Sequence, residues 1–198
     1  TFWDQEDAGG AAFFTSGFAE TGEEVGLRLQ EELTAMAREA SFNVVGPNCM
    51  GLYLPKVGVR FNAEVPVEED GRVAFVSQSG THSIMFSLVM GANGMHLSRC
   101  ASFGNAIVLD TSDYLEYLME DQETDIIAMY IEGVKDGPRF ARTLREACRR
   151  KPVVVWKGGQ TEAGARATMS HTASLAAPQA CADTHVFKML YRATFRFR

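Results

Sequence analysis

The chain has 198 residues, enough for one large or two small domains with a substantial core. It is 46% hydrophobic and 22% charged with a net charge of −6, a balance that argues against nucleic acid as the main partner. No apolar run approaches the roughly 20 residues of a membrane span, and the N-terminus has no signal-peptide pattern. Cys49, Cys100, Cys148 and Cys181 are scattered with no CxxC pair, so no metal site is expected, and Cys100 and Cys148, in apolar or helical contexts, read as free core thiols of a reducing cytoplasm. The first residue is Thr1, and Tyr191–Arg198 has no strand or cap pattern. The sequence therefore reads as a fragment of a longer chain.

In chain order, Ala11-Ala12-Phe13-Phe14-Thr15 is a short apolar run and predicts a buried strand. The loop Ser16–Gly22 follows. Val25, Leu29, Leu33, Met36 and Ala37 recur at helical spacing and predict a helix over 23–40. Phe42–Val45 reads as a strand that runs into Gly46-Pro47-Asn48-Cys49-Met50-Gly51, a turn rich in backbone N–H groups. A turn in that position binds ligands in open α/β sheets, and it is also an ordinary use of glycine and proline. The acidic, turn-rich Val65–Gly71 stretch suggests a boundary between units at 1–68 and 69–198.

The second unit alternates. Strands are expected at 72–77, 97–103, 124–131 and 152–156. Helices are expected at 80–93 (with Ile84, Met85 and Leu88 on the apolar side), 112–120 and 138–149. Such alternation implies a parallel sheet with helices on both faces. The fold class is thus α/β.

Five stretches hold the candidate chemistry. Ser77-Gln78-Ser79-Gly80 joins a strand directly to a helix, whose first turn offers unpaired N–H groups and the positive dipole end to a phosphate. Ser79 and Thr81 add hydroxyls. The same residues also cap helices that bind nothing. Glu132, in Tyr130-Ile131-Glu132-Gly133, is a carboxylate at a buried strand's C-terminal end, able to orient an imidazole. Ser102-Phe103-Gly104-Asn105 ends another strand in a glycine turn. Lys157–Gly164 follows the last strand and carries Lys157. It leads to Ser170-His171-Thr172, where small and hydroxylated neighbours leave a histidine room to react and move. All but the last follow strands directly, so they belong on one sheet edge.

Taken in order, Gly46–Gly51, Ser77–Gly80, Tyr130-Ile131-Glu132-Gly133-Val134-Lys135-Asp136-Gly137 and Ser170–Thr172 resemble the α-type part of the nucleoside-diphosphate-forming acyl-CoA synthetases. That family includes ADP-forming acetate–CoA ligase and succinyl-CoA synthetase. The resemblance covers roughly residues 11 to 178. It implies the C-terminal part of a Rossmann-like CoA-binding domain followed by a flavodoxin-like domain. It implies His171 as the phosphorylated nucleophile and Glu132 as the residue that orients it. Phosphate binding is expected from Ser77, Gln78, Ser79, Gly80, Thr81, Gly104 and Asn105. CoA or acyl binding is expected from Ser16, Gly17, Pro47, Asn48, Cys49 and Gly51.

The implied reaction is acid + CoA + NTP giving acyl-CoA + NDP + phosphate, through an acyl phosphate and a phosphohistidine. Its substrates are coenzyme A, a small carboxylic acid, and ATP or another NTP with Mg2+ bound on an ATP-grasp (β-type) partner subunit or domain. An oligomeric, cytoplasmic enzyme is expected, inactive without that module. The sequence departs from the family's usual pattern at Ala173 and Ala177-Pro178, where glycine is common, and at Gln160, where arginine is. The alternative within the same resemblance is a non-catalytic CoA- or acyl-CoA-binding regulatory module. A flavin or nicotinamide oxidoreductase fits worse, because no GxGxxG follows a strand.

Overall fold

The computed structural model describes residues 9–66 and 71–159. His171, Cys181 and Gln160 lie outside the described residues. Within them the chain folds as α/β, with two sheets.

The first sheet is small. Strand β1 (Gly10–Ala12) pairs in parallel with β2 (Asn43–Val45), and helix α1 (Glu24–Glu39) connects them. The expected helix is present, but only part of its apolar stripe is buried. Ala37 is buried and Leu33 packs beside it, whereas Val25, Leu29 and Met36 are exposed. Gly26 is buried as well: a Cβ there would stand 2.2 Å from the Phe18 carbonyl oxygen, so only glycine fits that contact.

The second sheet has the order β3-β5-β4-β6-β7. Its strands are β3 (Gly51–Tyr53), β4 (Val73–Ser77), β5 (Leu97–Ser102), β6 (Ile126–Ile131) and β7 (Val153–Lys157). All pairings are parallel except β3 with β5, which is antiparallel. The strictly alternating reading omitted β3. A three-residue strand flanked by glycine and proline has no periodicity to betray it. Through β3, a strand that precedes the Val65–Gly71 stretch hydrogen-bonds to one that follows it.

Helices α3 (Thr111–Glu120) and α4 (Gly137–Arg150) pack over Ala74, Val76, Ile127, Met129 and Ile131 on one face. Helix α2 (Gly80–Ala92) covers the other face over Phe75, Cys100, Ala128 and Tyr130, with Phe86, Leu88 and Met90 packed in. Burial on both faces explains the near-continuous apolar run Val73–Val76. The expected apolar side of α2 is corrected at Met85, which is 53% exposed, while Ser83 and Ser87 are buried against the sheet. Their hydroxyls donate to the Ser79 and Ser83 carbonyls, at 3.1 and 2.8 Å, so small polar residues reach the interior with their hydrogen bonds made.

Asp110 and Asp113 form a capping box on α3, and Asp136 caps α4 with Pro138 in its first turn. Cys49 and Cys100 are buried, Cys148 is partly so, and all three are free. No helix among the described residues is long and apolar enough to cross a membrane.

Candidate functional site

Reading the parallel strands in chain order, the sheet runs second-first-third-fourth, with β4 first and central. In such a sheet the connections from β4 and β6 leave toward opposite faces, and the crevice at their carboxyl ends is the expected ligand position. Residues 77–80 and 132–133 flank that crevice.

They are tied together across it. The Gln78 backbone N–H donates to the Tyr130 carbonyl at 3.1 Å. Its side-chain oxygen accepts from the backbone N–H groups of both Glu132 and Gly133, the latter at 3.0 Å. Gln78 is buried, so this carbonyl spends its two lone pairs on the turn that carries Glu132. The Glu132 carboxylate accepts from the Tyr130 hydroxyl at 3.3 Å, and Lys157 Nζ donates to the Glu132 carbonyl at 2.6 Å and the Gly158 carbonyl at 2.7 Å.

The Ser77–Gly80 turn is equally committed. The Ser77 hydroxyl donates to the Ser79 carbonyl and accepts the Ser79 N–H. Ser79 is the N-cap of α2, accepting from His82 N–H at 3.4 Å. His82 Nδ1 lies 2.9 Å from Ser79 Oγ, and the ring stacks on Tyr130 at 4.1 Å between centroids. As the first two helical residues, Gly80 and Thr81 have N–H groups without intrahelical acceptors. A Cβ on Gly80 would meet Met50 Cγ at 2.7 Å, so any larger residue there requires the Met50 side chain to move.

The third and fourth turns meet each other. Asn105 N–H donates to the Pro47 carbonyl, Ile107 N–H to the Gly46 carbonyl, and Met50 N–H to Ser102 Oγ. Gly104 has φ +48°, and a Cβ on it would stand 2.2 Å from the Pro47 carbonyl oxygen and 2.1 Å from that of Asn48. Lys135 Nζ donates to the Ala106 carbonyl, linking the turn after β6 to the turn after β5. The Asn105 side chain points to protein partners: Asn48, Glu20 and Gln30.

Cys49 is 5% exposed, with Sγ 3.4 Å from the Phe13 carbonyl and 3.7 Å from that of Val45. Burial pushes its thiol up to about 11 from 9.0, with backbone hydrogen bonds opposing. Cys49 is therefore a neutral, packed thiol. In the folded protein at pH 8, its alkylation by iodoacetamide is expected to run about a hundredfold or more slower than that of an ordinary cysteine, the two-unit shift alone giving that factor. A peptide-resolved labelling time course checks this, and labelling at the free-thiol rate contradicts it.

Of the expected site residues, the structure brings Ser77, Gln78, Ser79, Gly80 and Glu132 together at the crevice. Gly104, Asn105, Pro47 and Asn48 form an adjoining knot, and the Asn48 N–H donates to the Thr15 carbonyl at 2.9 Å, tying the start of the loop that carries Ser16 and Gly17 to it. Gly51 begins β3 beside this knot, and Thr81 is exposed. Sequence reading missed Glu20 and His82. Glu20 had a signal: an acid in the first turn of a short helix reaching back to preceding N–H groups, as in a capping box. His82 had none, because its role depends on Tyr130 lying across the crevice. Among the described residues no group of three or more His, Cys, Asp or Glu could hold a metal ion.

A central parallel sheet in this order, with its strand-end turns knotted at the switch point, defines a flavodoxin-like α/β unit with a second, smaller α/β unit joined to it. Its family is more particular. Residues 70–189 match the family model of the succinyl-CoA ligase like flavodoxin domain, and the chain belongs to that family.

Among curated relatives, it is 40% identical over 192 residues to acetate–CoA ligase [ADP-forming] I of Archaeoglobus fulgidus, covering 97% of this chain and 27% of the relative. It is 41% identical over 170 residues to the alpha subunit of acetate–CoA ligase [ADP-forming] II of Pyrococcus furiosus, covering 84% and 36%. Among solved structures, a dinucleotide forming acetyl-coenzyme A synthetase 1 from Ca. Korarchaeum cryptofilum, in complex with phosphate and ADP, aligns with a TM-score of 0.78 at 35% identity, over 90% of this chain and 38% of that one. The chain thus spans between about a quarter and two-fifths of the length of these relatives.

Proposed function

We propose that this chain is the α-type part of an NDP-forming acid–CoA ligase, acting through an acyl phosphate and a phosphohistidine. Residues 1–68 supply part of a Rossmann-like CoA-binding unit, and 69–198 the flavodoxin-like unit. The observation that supports this best is the crevice between β4 and β6. There the Glu132 turn is clamped by Gln78 beside the N-terminus of α2, so a carboxylate and a phosphate-accepting helix end share one place.

In this reading one nitrogen of the His171 imidazole attacks the terminal phosphorus of the NTP, and NDP leaves. Glu132 accepts a hydrogen bond from the other ring nitrogen, orienting the ring and stabilising its positive charge. The α2 N-terminus receives the phosphoryl oxygens through the Gly80 and Thr81 N–H groups. A substrate carboxylate oxygen then takes the phosphoryl group from His171, giving the acyl phosphate. The CoA thiolate attacks the acyl carbon, and phosphate leaves. The turns at 16–17 and 46–51 hold the thiol end of CoA, with Cys49 as packing and not as nucleophile. The NTP, with Mg2+, belongs to an ATP-grasp partner module, and the assembly is oligomeric and cytoplasmic.

The test uses the complete enzyme with its nucleotide-binding module. After incubation with ATP and Mg2+, the peptide containing His171 is expected to carry an acid-labile phosphate of about 80 Da. A phosphate absent from that peptide, with acyl-CoA binding intact, overturns the catalytic reading in favour of a CoA-binding regulatory module.

A further inference from the structure

One carboxylate in the first unit is held by an amide of the second. Gly17 and Phe18 N–H both donate to Glu20 Oε1, at 2.6 and 3.2 Å. Glu20 Oε2 accepts from Asn105 Nδ2 at 2.6 Å. The same Nδ2 donates to Gln30 Oε1 of α1 at 2.9 Å, and Asn105 Oδ1 accepts from Asn48 Nδ2 at 3.4 Å. Asn105 is fully buried. Its amide spends both donors and an acceptor on three segments that the chain brings from 57 to 85 residues away. An amide in that state cannot shift toward one partner without stranding another in the interior. Partial burial acts to raise the Glu20 carboxyl, but the hydrogen bonds from Asn105 and the loop backbone outweigh it and hold the group below its ordinary value.

We propose that Glu20 is a positioning residue for the thiol end of CoA. It fixes the backbone of Gly17 and Phe18 in one conformation. Through Asn105 it also sets the distance between that loop and the turn after β5, and so between the thiol and phosphate ends of the reaction. Attack on an acyl carbon is sensitive to displacements of about 1 Å, which makes such a brace consequential. This inference rests on the reading of the 16–17 loop as CoA-binding.

The test is made on the complete enzyme with two readouts: phosphorylation of His171 from ATP without CoA, and acyl-CoA formation as CoA is varied. Glu20→Ala removes both arms of the brace. Glu20→Gln keeps an acceptor for the loop N–H groups but loses the one facing Asn105, and it carries the test if Glu20→Ala does not fold. KM for CoA is expected to rise about tenfold in Glu20→Ala and by a smaller factor in Glu20→Gln, the scale of a lost hydrogen bond to a charged group. Phosphorylation is expected to stay within about twofold of wild type, since the contacts at the crevice between β4 and β6 are untouched. An unchanged KM for CoA in a folded variant overturns the proposal. So does a parallel fall in phosphorylation and CoA use, which marks a general structural defect. A wild-type enzyme that turns over without CoA removes this inference together with the functional reading beneath it.

Discussion

His171→Ala in the complete enzyme is expected to lose the acid-labile phosphate and acyl-CoA formation together, while Glu132→Gln keeps the nucleophile and slows its phosphorylation. The expected slowing is on the order of a hundred- to ten-thousand-fold, the range seen when a positioned acid–base partner is removed. The argument is electrostatic. Attack by imidazole on phosphorus leaves positive charge on the ring, and a carboxylate against the far nitrogen stabilises that charge as it develops. Glutamine keeps the shape and an acceptor oxygen but not the charge. Its backbone N–H still meets Gln78, so the turn itself should hold. Rapid-quench measurement of phosphohistidine formation separates the two variants. An unslowed Glu132→Gln removes Glu132 from the relay and leaves His171 to be oriented by another group.

Gly104→Ala is expected to be strongly destabilising, at about 3–5 kcal/mol. Two effects add. The backbone at φ +48° is left-handed, which costs an alanine about 1–2 kcal/mol. The new Cβ also falls within 2.2 Å of two carbonyl oxygens, those of Pro47 and Asn48, and neither is a flexible side-chain end that could step aside. Relief requires the turn after β5 to part from the 46–51 turn, breaking the Asn105 N–H bond to the Pro47 carbonyl. Gly94→Ala is the control. Its φ is +69°, but no atom lies within 4 Å of the new Cβ, so it carries the backbone cost alone. Chemical denaturation of both variants beside wild type measures the difference. Equal midpoints would show that the knot between the two turns yields without cost.

Much of the architecture was legible in the residues. Each helix and parallel strand of the second unit announces itself through periodicity and its own punctuation, as with Asp110 before α3 and Asp136-Gly137-Pro138 at the start of α4. Those signals are local, because capping and side-chain period are set within a few residues. The placement of Ser77–Gly80 and Glu132 on one edge was also legible, since parallel strands share a direction and their C-terminal turns must share a side. The partners of individual side chains were not. Ser79, Gln78 and Asn105 read equally well as anion donors, and in the fold Gln78 clamps the Glu132 turn and Asn105 braces Glu20.

The sequence by itself determined the α/β class, the succession of helices and parallel strands and the edge on which the candidate chemistry gathers, because each rests on period and chain direction. Only the tertiary structure decided that β3 crosses to the second sheet, that α2 turns Ser83 and Ser87 inward rather than Met85, and that Glu20 is held by Asn105 across 85 residues of chain. These are outcomes of close packing and hydrogen-bond satisfaction between distant segments, where the available volume and the nearest unpaired group, not a residue's own polarity, select the contact.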